Sequence, residues 1–321
     1  MGLHFYIARR LLSILPVWFA ITFLAFALGS VAPGDPAEAI YYQTYGVPPS
    51  DQAELDKLRE EIGLNDPFIV RYGLWTYGAV RGDLGTSYRT GGPVWDQRVS
   101  RLWSTLILAG GGVVVALVVA LPLGMLAAVR QDSLLDLAAR LFSLVGAAIP
   151  SYWLAYLLIL LFAVQLHWLP VAGSVSWQHL ILPCTTLGLG GAALLSRLLR
   201  SSMLEVMGNE YMRVARAKGL PERQVILVHA FRNALIPLVT VMGNMLGFLL
   251  SGAIVIETVF AWPGLGRMMI DAINFRDYPV IQGFVLFAGT VFVLVNLVVD
   301  VSYTWIDPRI RLADSAQDQG R

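Results

Sequence analysis

Long apolar runs constrain this chain before anything else does. A helix needs about 20 mostly apolar residues to cross the hydrocarbon core of a bilayer. Six such runs lie along the sequence, at residues 11–31, 106–129, 141–166, 179–199, 235–260 and 280–306. Backbone amides inside a bilayer must be bonded within their own segment, so each run predicts a helix. The expectation is an all-α integral membrane protein with six transmembrane helices. Composition agrees: 56% of residues are hydrophobic and only 14% charged, against about 25% charged in soluble domains. Pro122, Pro150, Pro183 and Pro237 fall inside or at the ends of these runs, where neighbouring helices can absorb a kink. A net charge of +1, with no basic patch carrying interleaved aromatics, excludes nucleic acid as a partner.

The polar stretches divide the chain. Residues 1–34 hold an N-terminal segment and the first span, preceded by Arg9 and Arg10. Its apolar core exceeds the roughly 7–15 residues of a signal peptide, so a retained signal-anchor is expected. Residues 35–104 are too long for an unstructured loop and predict a small extracytoplasmic domain. Within it, Asp51 to Ile62 reads as an amphipathic helix closed by Gly63, and Gly82-Asp83-Leu84-Gly85 as a turn. Residues 105–306 form the membrane core, interrupted by a polar loop at 205–237, and 307–321 a tail. Arginines flank the first span, the 130–140 connection, the 205–237 loop and the end of the last span, whereas 165–182 contains no Lys or Arg. That alternation predicts an inner-membrane protein with cytoplasmic termini, and the 205–237 loop on the same side. Trp168 and Trp177 suit the outer interfacial belt.

The 205–237 loop carries Arg213, Arg216, Lys218, Arg223 and Arg232 between two apolar runs. Asn209 is placed to cap a short helix, with Tyr211, Val214 and Ala215 recurring along one face. Gly219 suits the left-handed residue that closes a helix, and Pro221 cannot continue it. Two short helices joined by Gly219-Leu220-Pro221 make a docking handle. In the spans, Asn244 and Asn296 are candidates for lining a pathway, because buried polar groups there are costly. Asp300 suits an arginine pairing, and Glu257 with Arg267 a local ion pair. Gly243 with Gly247, and Gly188, Gly190 and Gly191, allow close helix approach. Cys184 reads as an inert buried thiol. His4, His167, His179 and His229 show no metal-ligand spacing, and hydrolase and phosphate-binding motifs are absent. No catalytic or metal site is therefore expected, and the energy for transport must come from another subunit.

The loop sequence RVARAKGLPERQVILVHAFRNALIP resembles the EAA loop of permease subunits in binding-protein-dependent ABC importers, in the form of the dipeptide, oligopeptide and nickel branch. The likeness runs through ARRLL, APGDPA, IGLNDPF, GDLGTSY, PSYWLAYLLI, FAWPGLGR, RDYPVIQG and DPRIR. Arg213 and Val214 stand where the general pattern has Glu-Ala, while Ala215 and Gly219 match it, so Arg213 does not inherit the acidic role. The resemblance implies a type I importer (MetI-like) fold and a transport subunit, not an enzyme. It implies ATPase coupling through Tyr211, Arg213, Ala215, Arg216, Gly219, Leu220 and Pro221. Implied partners are a second homologous permease, two ABC ATPases that bind ATP and Mg, an extracytoplasmic substrate-binding protein and membrane lipid. No cofactor is expected in this chain. The short connection LHWLPVAGSVSWQHLILP resembles that of nickel, metallophore and glutathione permeases, GTSYRTGGPV and PSYWLAY resemble metal-chelate importers, and MRVARAKGLP is shared with peptide systems. The cargo therefore leans only slightly toward nickel or a metal chelate over a dipeptide, oligopeptide or glutathione. A stand-alone secondary transporter or channel is the alternative, and an intramembrane enzyme a weaker one.

Overall fold

In nonpolar surroundings a backbone satisfies its polar groups most simply by bonding to itself, and the apolar runs here are helical. The computed structural model describes residues 3–31, 35–49, 51–250 and 253–306. Helix α1 runs Leu3–Val31, followed by α2 (Pro36–Tyr45), α3 (Gln52–Glu61) and α4 (Phe68–Val80). The long α5 (Val94–Val129) precedes α6 (Leu134–Ala148) and α7 (Ser151–Leu158), which continues as a π-helical segment, Ile159–Gln165. Then come α8 (Gln178–Met207), α9 (Glu210–Ala217) and α10 (Glu222–Gln224). A π-helical segment, Val225–Ala230, carries α10 into α11 (Phe231–Leu250). Helices α12 (Ile254–Val259) and α13 (Leu265–Asn274) lead to α14 (Tyr278–Ile306).

Among the described residues, four stretches are long and apolar enough to cross a membrane: Val94–Val129, Gln178–Met207, Glu222–Leu250 and Tyr278–Val295. A fifth is the pair Leu134–Ala148 and Ser151–Gln165, bent by 106°. The expected span 141–166 is therefore not one rod. Pro150 disfavours helical backbone at the residue before it, and Ile149 sits extended at φ −78°, ψ 122°. The expected span 235–260 also differs: α11 ends at Leu250, α12 is separate, and the helical stretch reaches back to Glu222. The apolar part of α1 found among the described residues, Leu15–Ala27, is shorter than a crossing.

The described residues form two compact units, 106–262 with 294–306, and 3–105 with 263–293. In the first, α8 packs against α5, α6 and α11 through small side chains. Ala116, Ala120, Ala192, Ala193 and Ala234 are essentially inaccessible to solvent. A Cβ on Gly188 would stand 2.5 Å from Val115 Cβ, one on Gly146 2.5 Å from Ala193 Cβ, and one on Gly124 2.7 Å from the Ser196 carbonyl. Of the glycines read from the sequence, Gly188 and Gly191 make such approaches, whereas Gly190 meets nothing within 4 Å.

In the second unit, α1 and α4 join through rings: Phe23 and Phe26 meet Tyr72 edge-on at 5.4 and 5.5 Å between centroids. The Tyr72 hydroxyl lies 2.9 Å from Thr22 Oγ. The expected amphipathic helix is α3, capped by the Asp51 carboxylate accepting from the Ala53 amide at 2.9 Å. Gly63 follows at φ +69°. Pro263–Val293 joins this unit through Asp277, which is 2% exposed. Its carboxylate accepts from Ser87 Oγ at 2.5 Å and from the Tyr88 and Arg89 amides at 3.0 and 3.3 Å. Leu84, Val94, Leu265, Met268 and Phe284 pack as the core beside it.

The glycine contacts set a direct test. Gly188→Ala forces its methyl onto Val115 and onto the Gly112 carbonyl, 2.9 Å away, and should cost about 1–3 kcal/mol. Gly190→Ala should be neutral or gain up to about 1 kcal/mol from helix propensity. Cys184, the only cysteine and 7% exposed, supplies the readout. Its thiol should become reactive at a lower temperature in Gly188→Ala and not in Gly190→Ala.

Candidate functional site

The 205–237 loop folds onto the core of the first unit. Met212 and Ala215 of α9 are buried, at 0% and 8% exposure, among Leu199, Met203, Val225, Ala230 and Ala234. Half-buried Leu220 packs against the same cluster. Tyr211 and Val214 point outward, 45% and 53% exposed. The expected apolar face of Tyr211, Val214 and Ala215 is corrected accordingly. Residues 211 and 214, like 212 and 215, are three apart and share a stripe, and Met212 is the one that the core takes in. The expected Asn209 cap is also corrected. Its backbone is extended at φ −72°, ψ 149°, but its side chain makes no capping hydrogen bond.

The turn after α9 follows the sequence. Gly219 has φ +76° and donates its amide to the Arg216 carbonyl at 2.9 Å. The Pro221 carbonyl accepts from the Gln224 and Val225 amides, starting the next helix. Across the turn Arg216 donates to Glu222, Nη2 to Oε1 at 3.0 Å and Nε to Oε2 at 3.2 Å. Both side chains are largely exposed, so this clip contributes at most about 1 kcal/mol. Arg213 lies 3.9 Å from Glu210 and is 79% exposed. The handle thus has an apolar underside fixed to the core and an upper face of Tyr211, Arg213, Val214 and Arg216. From Glu222 the helical stretch runs on to Leu250, through a π segment of the kind frequent at functional sites.

Asn244 is exposed on α11. The side chains of Asn296 and Asp300 lie outside the described residues, so these two expectations meet no geometry. Glu257 is wholly buried in α12. The His179 ring faces Ser176 Oγ at 3.0 Å, and His167 occupies left-handed backbone at φ +56°. Among the described residues no group of His, Cys, Asp and Glu could hold a metal ion.

One pair had no signal in the sequence. Asp136 of α6 is fully buried, and Arg200 of α8 donates to both its oxygens, Nε at 2.5 Å and Nη2 at 2.8 Å. The Asp132 amide donates to the same carboxylate at 3.0 Å, and Arg140 stands 3.5 Å away. Arg200 follows Leu199 and precedes Met203, both in the cluster that holds the handle. The two partners are 64 residues apart in the chain.

A family model described as the binding-protein-dependent transport system inner membrane component matches residues 120–312. The glutathione transport system permease protein GsiC of Escherichia coli strain K12 is 42% identical over 306 residues, covering 95% of this chain and 98% of that protein. GsiC of Shigella dysenteriae serotype 1 matches to the same extent. An inward-facing structure of the MetNI methionine ABC transporter superposes with a TM-score of 0.53 at 21% identity. That match covers 65% of this chain and 95% of the other and speaks for a shared fold. These relatives are transport components, not enzymes, and do not favour a stand-alone transporter. The stated cargo of the GsiC relatives is glutathione, which gives the lean toward nickel or a metal chelate no support.

The Asp136–Arg200 pair yields a prediction about the ground on which the handle rests. Asp136→Ala leaves the guanidinium, 20% exposed, without its carboxylate and should destabilise the chain by about 3 kcal/mol. Adding Arg200→Met should recover most of that loss, since a well-packed apolar replacement of a buried pair is often neutral. Thermal exposure of the Cys184 thiol measures both. A double variant as unstable as Asp136→Ala would show that the pairing does not order this corner.

Proposed function

The chain belongs to the family of binding-protein-dependent transport system inner membrane components, and we propose that it forms half of the pathway of an ABC importer for glutathione or a similar small peptide. A second, similar permease supplies the other half, and an extracytoplasmic binding protein delivers the cargo. Two ATPase subunits bind ATP with Mg and hydrolyse it, since this chain carries no phosphate-cradling motif. In this reading α1 is the first crossing and the bent α6–α7 pair the third, which makes six. The arginine distribution favours cytoplasmic termini, with residues 35–104 on the outer side.

The observation that carries the mechanism is the two-sided α9. Its underside, Met212 and Ala215, is part of the membrane core, and its upper face is largely exposed in this chain. The proposed coupling set is Tyr211, Arg213, Ala215, Arg216, Gly219, Leu220 and Pro221. Ala215 and Leu220 anchor the lever, Gly219 and Pro221 shape its turn, and Tyr211, Arg213 and Arg216 meet the ATPase. ATP closes the ATPases, moves the handles and shifts the helices between inward- and outward-facing arrangements. Such a shift requires contacts that differ between the two states. The glutathione-class cargo rests on the 42% identity to GsiC over nearly the whole chain.

Two measurements test this reading. Gly219→Asp forces a side chain into left-handed backbone at φ +76°, costing about 1–2 kcal/mol. A Cβ there meets nothing within 4 Å, so the turn reshapes while the core stands. ATP hydrolysis should continue while uptake of labelled glutathione falls at least about tenfold. Normal uptake by this variant would sink the coupling role. A cysteine at the exposed Val214 should cross-link to an ATPase subunit in the assembled complex, and one at buried Met212 should not.

A further inference from the structure

Within the second unit lies an open cavity of about 500 Å³ that the handle does not involve. Its volume falls in the roughly 300–1,000 Å³ range of small-molecule sites. Apolar walls come from Phe26 of α1, Leu74 and Trp75 of α4, and Leu84. The polar lining is unusual in what it lacks. Arg71 of α4, Glu61 at the end of α3 and Asp66 all line the cavity. None of the three takes part in an ion pair among the described residues. One cation and two carboxylates thus surround one space without pairing to each other.

A second observation points into the same space. Gln282 of α14 lines the cavity and is only 7% exposed. Its carboxamide has no hydrogen-bond partner among the described residues, and it is not among those with further interactions. Its amide nitrogen and oxygen are not sealed away, so they reach the open space of the cavity, where a polar ligand can bond to them. Tyr88 adds a phenol that burial, the main cause, holds protonated above its ordinary range. The Arg71 guanidinium carbon lies over the Phe26 ring, 5.7 Å from its centroid, and the guanidinium N–H groups have no hydrogen-bond partner among the described residues.

We propose that this cavity binds a short zwitterionic peptide, with its carboxylate on Arg71, its ammonium on Glu61 and Asp66, and an amide of its backbone on Gln282. The proposal rests on the small-peptide reading above and adds a cargo site in this chain apart from the binding protein. Guanidinium suits a carboxylate because its planar fork donates two parallel hydrogen bonds. Opposite charges at separate walls select a molecule that carries both signs, and Gln282 rejects one with no amide. A divalent cation is a poorer fit, since Arg71 opposes it and no metal-holding group is found among the described residues.

The test uses the assembled transporter in phosphatidylcholine nanodiscs, without binding protein or nucleotide, and measures equilibrium binding of reduced glutathione. Saturable binding is expected, weakened at least about tenfold by Arg71→Gln and by Gln282→Leu, with Arg71→Lys between. Thermal melting of the whole complex identifies any variant that has lost its fold, and the remaining one then decides. Uptake by the complete system is measured alongside. If wild type imports glutathione but both variants bind it like wild type, the cavity assignment falls and the importer reading stands. If wild type neither binds nor imports glutathione, both fall together. Phosphatidylethanolamine bound to wild type and lost in Arg71→Gln, with no glutathione binding, would assign the cavity to a lipid headgroup and overturn the peptide.

Discussion

Close approach between helices is what the first unit depends on. Once each helix has satisfied its own backbone, contact between helices is left to dispersion, and dispersion falls steeply with distance. Gly188, Gly146 and Gly124 admit neighbours to distances that no Cβ would allow, and alanines fill the layers between. The consequence reaches beyond packing. The cluster that begins at Ala116 and Ala120 in α5 continues through Leu195 and Leu199 to Met212 and Ala215. The handle is therefore an extension of the membrane core and not a loop laid on it. Anything that displaces α9 disturbs the contacts of α8 and α11.

Charge does a different job in each unit. Asp136 is buried at a cost, which bidentate Arg200 and the Asp132 amide offset. Asp277 is buried, and two amides and a hydroxyl meet its carboxylate. Hydrogen bonds to an ionised acceptor are about twice as strong as neutral ones, so three of them can hold a loop. That loop, with Gly82, Gly85 and Gly91 at positive φ, carries Leu84 into the core and Tyr88 to the cavity. Arg98 shows the opposite case. It is 5% exposed, its Nε and Nη1 have no hydrogen-bond partner among the described residues, and the Phe287 ring lies 5.4 Å from it. A ring face attracts a cation, though more weakly than a carboxylate does.

Local chemistry was legible in the sequence and long-range pairing was not. The Gly219 turn, the amphipathic helix before Gly63 and the helical nature of the apolar runs each follow from a few adjacent residues. The break at Ile149 was within reach too, since Pro150 disfavours helical backbone at the residue before it, but the continuous apolar run masked it. The inward stripe of α9 could not be chosen locally, because Tyr211 with Val214 and Met212 with Ala215 repeat at the same spacing. Asp136 with Arg200 lies further off, at 64 residues, and Asp277 with Ser87 at 190. Nothing in either neighbourhood names its partner. For the same reason the sequence split at residue 104 carried no hint that Pro263–Val293 packs with the N-terminal segment.

These energies narrow what the handle can do on the proposed reading. Its visible charges are weak instruments: the Arg216–Glu222 clip is solvated and the Arg213–Glu210 contact nearly fully exposed. They can orient an approaching ATPase and speed its docking, and little more. Holding force must come from surface removed from water, and the outward-facing Tyr211 and Val214 provide it. On the inner side, extracting Met212 would expose a side chain whose burial is worth about 2 kcal/mol. A pull on α9 therefore meets less resistance in moving the helix stretch that begins at Glu222 than in peeling the lever from its bed. On the proposed reading, a displaced ATPase would then reach α11 through the helix stretch that begins at Glu222 and not be lost as local unfolding of α9.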